Sequence, residues 1–310
     1  MKPRQPKGTR IFAVVNRKGG VAKTTTAVTL AHGLSRKLMF KLQPENRVHV
    51  DDVERLFSYK GQDYFINGHV LLIDLDPQGQ CAASLGIDPG NADLGQVLMG
   101  KQPLAQAVVS ADRAAAGYPR PNLWLIPSSS SLERAKVELT LQAANPFSSG
   151  DDGAEAYVRR LLVRRLGLLM ARFAYIIIDC PPTLDLFSRA VYQFADAAIV
   201  PVKPDYLSME GMGKHLTDLR EAQLRGIDIG IHTIVPTFFV GRQRLDRQLL
   251  AALTQTHADF LVDPIPRSQL VAEAPAHQQT LFEFDPRFRN PATIAYKNLV
   301  NKVFEDGTAA

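Results

Sequence analysis

Cysteine is nearly absent: only Cys81 and Cys180 occur in the 310 residues. They lie far apart and share no CxxC or Cys/His ligand spacing, which argues against a disulfide framework or a zinc site and leaves both as small core residues. Nor is there a run of about 18 apolar residues, so no membrane-crossing helix is expected. The start, Met1 to Arg10, is basic but lacks the apolar stretch of a secretory leader, and a cytoplasmic location is expected. Repeats and low-complexity tracts are missing as well. Barely ten residues precede the first predicted strand, too few for a helix-turn-helix extension there, so operator-specific reading of DNA is not expected. Charge of one sign is scarce too: 36 basic against 31 acidic residues leave +5, compatible with a polyanionic partner but too weak to identify one.

Hydrophobic residues, by contrast, make up 45% of the chain, enough for a substantial core. Apolar runs alternate with helix-length amphipathic stretches, the pattern of a doubly wound α/β fold, a mostly parallel sheet with helices on both faces. Strands are predicted over 11–16, 70–75, 123–127, 175–180, 197–202 and 229–236. The clearest surface helix spans 154–173, with Arg159, Arg160, Arg164 and Arg165 as its solvated face. Residues 148–153 form a Ser/Gly/Asp cluster expected to be a loop. Between the first helix and the second main strand about 30 residues, Lys37 to Gly68, intervene where a short connection is usual. Within them 50–57 is read as a short helix and 59–66 as a strand or hairpin. A partner-docking element and a passive surface excursion are equally compatible with this insertion.

The first strand runs into Arg17-Lys18-Gly19-Gly20-Val21-Ala22-Lys23-Thr24-Thr25-Thr26, which opens a helix. Strand, glycine-rich loop, then helix is the setting a phosphate-binding loop requires. Gly19 and Gly20 let the backbone approach phosphate oxygens, the amides from Val21 onward offer partial positive charge, and Lys23 supplies a full charge at the β- and γ-phosphates. Thr24 is placed to ligate Mg²⁺ through its hydroxyl, and Thr25 to donate to the α-phosphate. Ala22 replaces the last glycine of the general pattern, which is tolerable provided its φ stays negative. Lys18, at the mouth of the loop, is read as reaching the nucleotide of a facing subunit, in the manner of an arginine finger; the alternative is a solvated lysine.

With Lys18 to Thr24 matching KGGxxKT, the sequence resembles the ParA/MinD family of deviant Walker ATPases. The resemblance implies ATP and Mg²⁺ as cofactors, an ATP-dependent homodimer, and weak ATP hydrolysis stimulated by a partner. Val70 to Gly79 is an apolar strand ending in Asp74 and Asp76, which period-two alternation puts on one side at the ligand-binding edge. It looks like the Walker A′ motif. Asp76 then matches the residue that orients the attacking water and Asp74 supports the Mg²⁺ shell, while a strand-end aspartate that caps the next helix is the competing reading. Tyr175 to Pro182 reads as Walker B, with Asp179 holding Mg²⁺ through water.

Later segments extend the resemblance over nearly all of the chain outside 37–68: 198–211, Thr237 to Phe239 with Arg242, Ile265 to Ser268, Glu273 to Pro275, and Phe284 to Arg287. They favour plasmid or chromosome partition proteins over MinD. The resemblance implies non-specific binding of double-stranded DNA through phosphate contacts, with Arg242 and Arg267 at matching positions and Arg244, Arg247, Arg287 and Arg289 nearby. It also implies a ParB-like centromere-binding partner and association with the nucleoid. Positioning of a protein cargo is the alternative, and a MinD-like membrane ATPase a more distant one. The tail from Asn298 to Ala310 has a short apolar face with acidic neighbours and no basic face, better suited to docking on the core than to a bilayer.

Overall fold

The computed structural model describes residues 8–43, 55–144, 153–183, 190–192, 194–204 and 229–309. Its strands in chain order are β1 (Arg10–Val14), β2 (Met39–Lys41), β3 (Leu56–Tyr59), β4 (Gln62–Ile66), β5 (Val70–Asp74), β6 (Val109–Ser110), β7 (Leu123–Ile126), β8 (Tyr175–Asp179), β9 (Ala197–Val202) and β10 (Gly230–Pro236). Seven of them make one sheet in the order β10-β9-β1-β8-β5-β7-β6, parallel throughout except for the short edge pair β6 and β7. Each predicted main strand is present within a residue or two of its expected bounds.

The helices are α1 (Lys23–Lys37), α2 (Gln80–Leu85), α3 (Leu94–Leu98), α4 (Leu104–Ala107), α5 (Ser131–Ala144), α6 (Gly153–Leu166), α7 (Arg244–His257), α8 (Gln269–Ala276), α9 (Leu281–Phe284) and α10 (Pro291–Ala309). They cover both faces of the sheet. Along β1, Ile11 and Ala13 join the core under α3, α5, α6 and α7, while Phe12 and Val14 join the core under α1, α2 and α10. Alternation thus sends every residue of such a strand into one core or the other. That is why these strands read as continuous apolar runs rather than as an alternating pattern.

The predicted helix over 154–173 is shorter than expected: α6 stops at Leu166 and a 3₁₀ turn covers Gly167–Ala171. Arg159, Arg160 and Arg164 are exposed as expected, whereas Arg165 is half-buried beside Gly100. The loop expected over 148–153 lies almost wholly outside the described residues. At the other end of the chain α10 docks on α1, with Leu299, Val300 and Val303 at most 3% exposed. The apolar tail therefore belongs to the core.

The insertion forms a separate three-stranded antiparallel sheet in the order β2-β4-β3. Lys60 and Gly61, both with positive φ, make the tight turn between β3 and β4, so the strand or hairpin expected over 59–66 is the turn and second strand of a hairpin that begins at Leu56. The short helix expected over 50–57 does not extend to its end, because Leu56 and Phe57 begin β3; residues 50–54 lie outside the described part. Cross-strand pairs Leu56 with Phe65 and Phe57 with Tyr64 supply the physical reason, since aromatic and branched residues facing each other favour a strand over a solvated helix turn. The insertion leaves and returns at one point, where the Asn67 amide donates to the Leu38 carbonyl at 2.8 Å.

Candidate nucleotide site

Parallel strands bring every connecting loop that follows them to one edge of the sheet, and the predicted site residues come from three of those loops. The loop after β1 is held from both sides. Asn16 accepts from the Lys18 amide at 2.9 Å and donates to the Pro201 carbonyl at 2.7 Å, while the Thr237 hydroxyl donates to the Val21 carbonyl at 3.1 Å. α1 then starts with no side-chain cap and no acidic residue in its first turn. Its first amides and the positive end of its dipole are left facing the loop, which favours an anion there.

Ala22 corrects an expectation. Its φ is +67°, in the left-handed region, not negative. The loop must reverse direction to aim its amides inward, and it does so at the position where the general motif carries glycine. An alanine there costs about 1–2 kcal/mol of backbone strain. Gly20, at φ +68°, makes the same kind of turn without that cost.

Lys23 is 8% exposed and its ammonium donates to the Lys18 carbonyl at 2.9 Å. Burial lowers its pKa, and Asp179 and Asp76 oppose that shift. The Thr24 hydroxyl lies near enough to Asp179 to oppose the rise that burial gives its pKa. A cleft of about 440 Å³ opens above these groups, lined by Gly19, Gly20, Ala22, Lys23, Thr24, Thr25 and Asp76 on one side. Thr237, Phe238, Pro266, Val271, Pro275 and Tyr296 line the other. One wall is polar and cationic, the other apolar.

The two aspartates of the second motif do different things. β5 ends at Asp74, so the alternation invoked for the pair stops before Asp76. Asp74 is fully buried and spends its oxygens on the amides of Asp76 and Cys81, both at 3.0 Å, the second anchoring the start of α2. That is the helix-capping role. Asp76, half-buried, lines the cleft; its carboxylate accepts from the Gln78 amide at 3.0 Å and its carbonyl from the Ser128 hydroxyl. Asp179 pairs in register with Asp74 at the end of β8 and is 1% exposed. Burial, with the charge of Asp74 behind it, pushes its pKa up to about 7, and burial pushes that of Asp74 up to about 6. One Asp179 oxygen, Oδ1, is buried without a hydrogen-bond partner. A hydrated divalent cation on the Thr24 side fits that orphaned acceptor, which is the role the sequence gives Asp179.

Arg242, Arg244 and Arg267 are all exposed. The Arg267 amide donates to the Phe239 carbonyl at 2.9 Å, which brings its segment beside the loop that carries Arg242. Arg287 is exposed elsewhere, next to Phe288, whose ring lies under the Arg36 guanidinium at the far end of α1. Residues 205–211 of the segment after β9 lie outside the described part. Sequence reasoning gave no role to Tyr296, Val271 or Phe238, since apolar residues on a late helix or loop carry no local mark of a cleft. Cys81 is a buried core residue as the sequence implies, and its Sγ also lies 3.6 Å from Asp179 Oδ2.

The family described as an AAA domain matches residues 65–229, just over half of the chain. The chain belongs to the ParA/MinD family of P-loop ATPases. The family match contains Asp74, Asp76 and Asp179 and begins after the phosphate-binding loop. Among individual members of this ParA/MinD group, the sporulation initiation inhibitor protein Soj of Bacillus subtilis is 29% identical over 96% of this chain and 99% of its own length. The chromosome partitioning protein ParA of Caulobacter vibrioides is 28% identical over 95% and 93%. A solved structure described as cobyrinic acid a,c-diamide synthase from Mycobacterium smegmatis, with bound ATP analogue and magnesium, is 25% identical over 96% of this chain and 95% of that one, at a TM-score of 0.66.

Proposed function

We propose that this ParA/MinD-type protein is an ATP-driven switch that dimerises on nucleotide, grips double-stranded DNA without sequence preference, and serves plasmid or chromosome partition with a ParB-like partner on the nucleoid. The observation that carries the reading is the uncapped start of α1 over Lys23, on the same cleft wall as Asp76, with the unpartnered oxygen of the buried Asp179 behind it. Bound Mg-ATP supplies the γ-phosphoryl group and the divalent charge that polarises it.

The residues divide the remaining work. Gly19, Gly20, Val21 and Ala22 present amides to the phosphates; Lys23 exchanges the Lys18 carbonyl for phosphate oxygens; Thr25 donates to the α-phosphate. Thr24 through its hydroxyl and Asp179 through its carboxylate would hold a hydrated Mg²⁺, with Asp74 setting the strand end behind them. Asp76 orients the attacking water and accepts its proton. Lys18 crosses to the partner subunit's nucleotide and stabilises charge as it develops on the leaving phosphates, so closure of the dimer and hydrolysis share one residue. The apolar wall of Phe238, Pro266, Val271 and Pro275 suits the face of a nucleobase.

On this reading Asp76→Ala lowers ATP turnover by about 10²–10³-fold while nucleotide binding persists. Lys18→Ala lowers it comparably and also leaves the protein monomeric with ATP in sedimentation velocity. Unchanged turnover in Asp76→Ala sinks the catalytic assignment. A dimer that forms with ATP in Lys18→Ala sinks the crossing lysine. For DNA, ATP-dependent binding at low salt is expected to weaken steeply as salt rises, and Arg267→Ala to lower the logarithmic salt slope by about 1. A bilayer-anchored alternative is disfavoured by the burial of Leu299, Val300 and Val303 against the core.

A further inference from the structure

Below the floor of the cleft, three potential ligands converge from three elements: Asp74 at the end of β5, Cys81 in the first turn of α2 and Asp179 at the end of β8. Each offers one ligand atom, and these atoms lie within 4.8 Å of one another. None is more than 1% exposed. Asp179 Oδ1 is buried with no hydrogen-bond partner. Cys81 Sγ lies 3.6 Å from the other Asp179 oxygen, Oδ2, and two carboxylates buried side by side at the ends of β5 and β8 are costly unless a cation is shared among them.

We propose that Asp74, Cys81 and Asp179 form a site for a thiophilic divalent cation of the zinc group, distinct from a hydrated Mg²⁺ held at Thr24. Donor chemistry selects the ion. Magnesium takes oxygen ligands and keeps its waters, whereas a thiolate with two carboxylates suits Zn²⁺ or Cd²⁺. Zinc-group bonds of about 2.0–2.3 Å place tetrahedral ligands roughly 3.3–3.8 Å apart, so the cluster closes on an ion by a contraction of about 1 Å. Three protein ligands leave a fourth position for water, and the thiol proton leaves to solvent as the metal–sulfur bond forms. The cation claims the same Asp179 carboxylate that the proposed Mg²⁺ water shell uses, so occupancy inhibits. Cys81 is the residue that makes the site, and thiophilic metal is the signal it would sense.

The test uses the full chain without nucleotide, titrated with Cd²⁺ and followed by the ultraviolet charge-transfer absorption of the cadmium–thiolate bond. One equivalent per chain is expected, with the band present in Cys180→Ser and lost in Cys81→Ser, and with Cd²⁺ affinity down on the order of 10- to 100-fold in the latter. A band that survives in Cys81→Ser, or that disappears with Cys180 instead, overturns the proposal. Should Cys81→Ser misfold, X-ray absorption at the cadmium edge of the unaltered protein decides: one sulfur with oxygens supports the site, and a shell without sulfur overturns it. A separate arm compares ATP turnover with and without Cd²⁺ within each protein. Inhibition of the wild type that Cys81→Ser escapes is expected, and equal inhibition of both refutes the shared carboxylate. Because the binding arm needs no nucleotide, it stands or falls independently of the ATPase reading.

Discussion

A single backbone angle shows how closely the phosphate-binding loop is specified. Ala22 occupies the left-handed region that L-residues avoid, and nothing about its methyl group is required for the turn. Glycine at this position removes about 1–2 kcal/mol of strain and returns about 0.5–1 kcal/mol of chain entropy to the unfolded state. Ala22→Gly is therefore expected to raise stability by about 0.5–1 kcal/mol, read as a higher urea midpoint at unchanged slope. A lower midpoint would mean that the methyl group packs to a net benefit. The general motif is legible in the residues from Lys18 to Thr24, but this angle is not, because φ depends on where the loop must aim its amides.

Among the elements, α1 and α10 pack more closely than side chains usually permit. A methyl group added at Gly33 would meet Val300 Cγ2 at 2.4 Å and Phe282 Cε2 at 2.8 Å. Gly33→Ala should consequently cost about 1–3 kcal/mol, seen as a lower thermal midpoint with the same secondary structure. The inserted sheet is the opposite case. Among the described residues β2, β3 and β4 pair only with one another, and of their apolar residues Ile66 alone is buried. Replacing residues 39–66 by an Asn-Gly turn between Leu38 and Asn67 is expected to preserve the main sheet and to cost about 1.5–3 kcal/mol, the worth of one buried aliphatic side chain. Circular dichroism and a melting curve check both. A strand within Tyr59 to Ile66 was readable and is β4, whereas β3 was not, since Leu56 and Phe57 fit either a helix turn or a strand until their partners are known.

For the whole molecule, one buried polar cluster ties distant segments together. Arg120, 1% exposed, donates to both oxygens of Glu283 at 2.7 and 2.9 Å and to the Leu85 carbonyl at 2.8 Å. Glu283 also receives the Thr280 amide at 2.8 Å, and Thr280 bonds His32 Nδ1 of α1 at 2.6 Å. Burial holds the His32 pKa down at about 3, with Glu283 opposing and Arg120 and Arg36 reinforcing the shift. The unfolded chain protonates its histidine near 6.5, so between pH 6.5 and about 3 it binds more protons than the folded chain. Stability from neutral His32 is therefore full above pH 6.5 and is lost as pH falls, by ~2 kcal/mol at pH 5. Asp74 and Asp179, pushed up to about 6 and 7, slope the other way. The measurement is thus the difference between wild type and His32→Asn in urea unfolding at pH 7 and pH 5. The gap should narrow by about 2 kcal/mol on acidification. A gap that stays constant removes His32 from the acid limb.

Local order is what the sequence determined on its own. Continuous runs of Ile, Val and Leu fixed the buried parallel strands, and glycines followed by Lys23 and Thr24 fixed the phosphate loop, because hydrophobic period and loop chemistry act over a few residues. Tertiary structure decided what depends on distance in the chain. It carried Tyr296 and Val271 from the last helices to the cleft wall and brought Cys81 against Asp179. Contacts between residues about a hundred or more positions apart are set by how helices pack on a twisted sheet, and no spacing in the sequence encodes them.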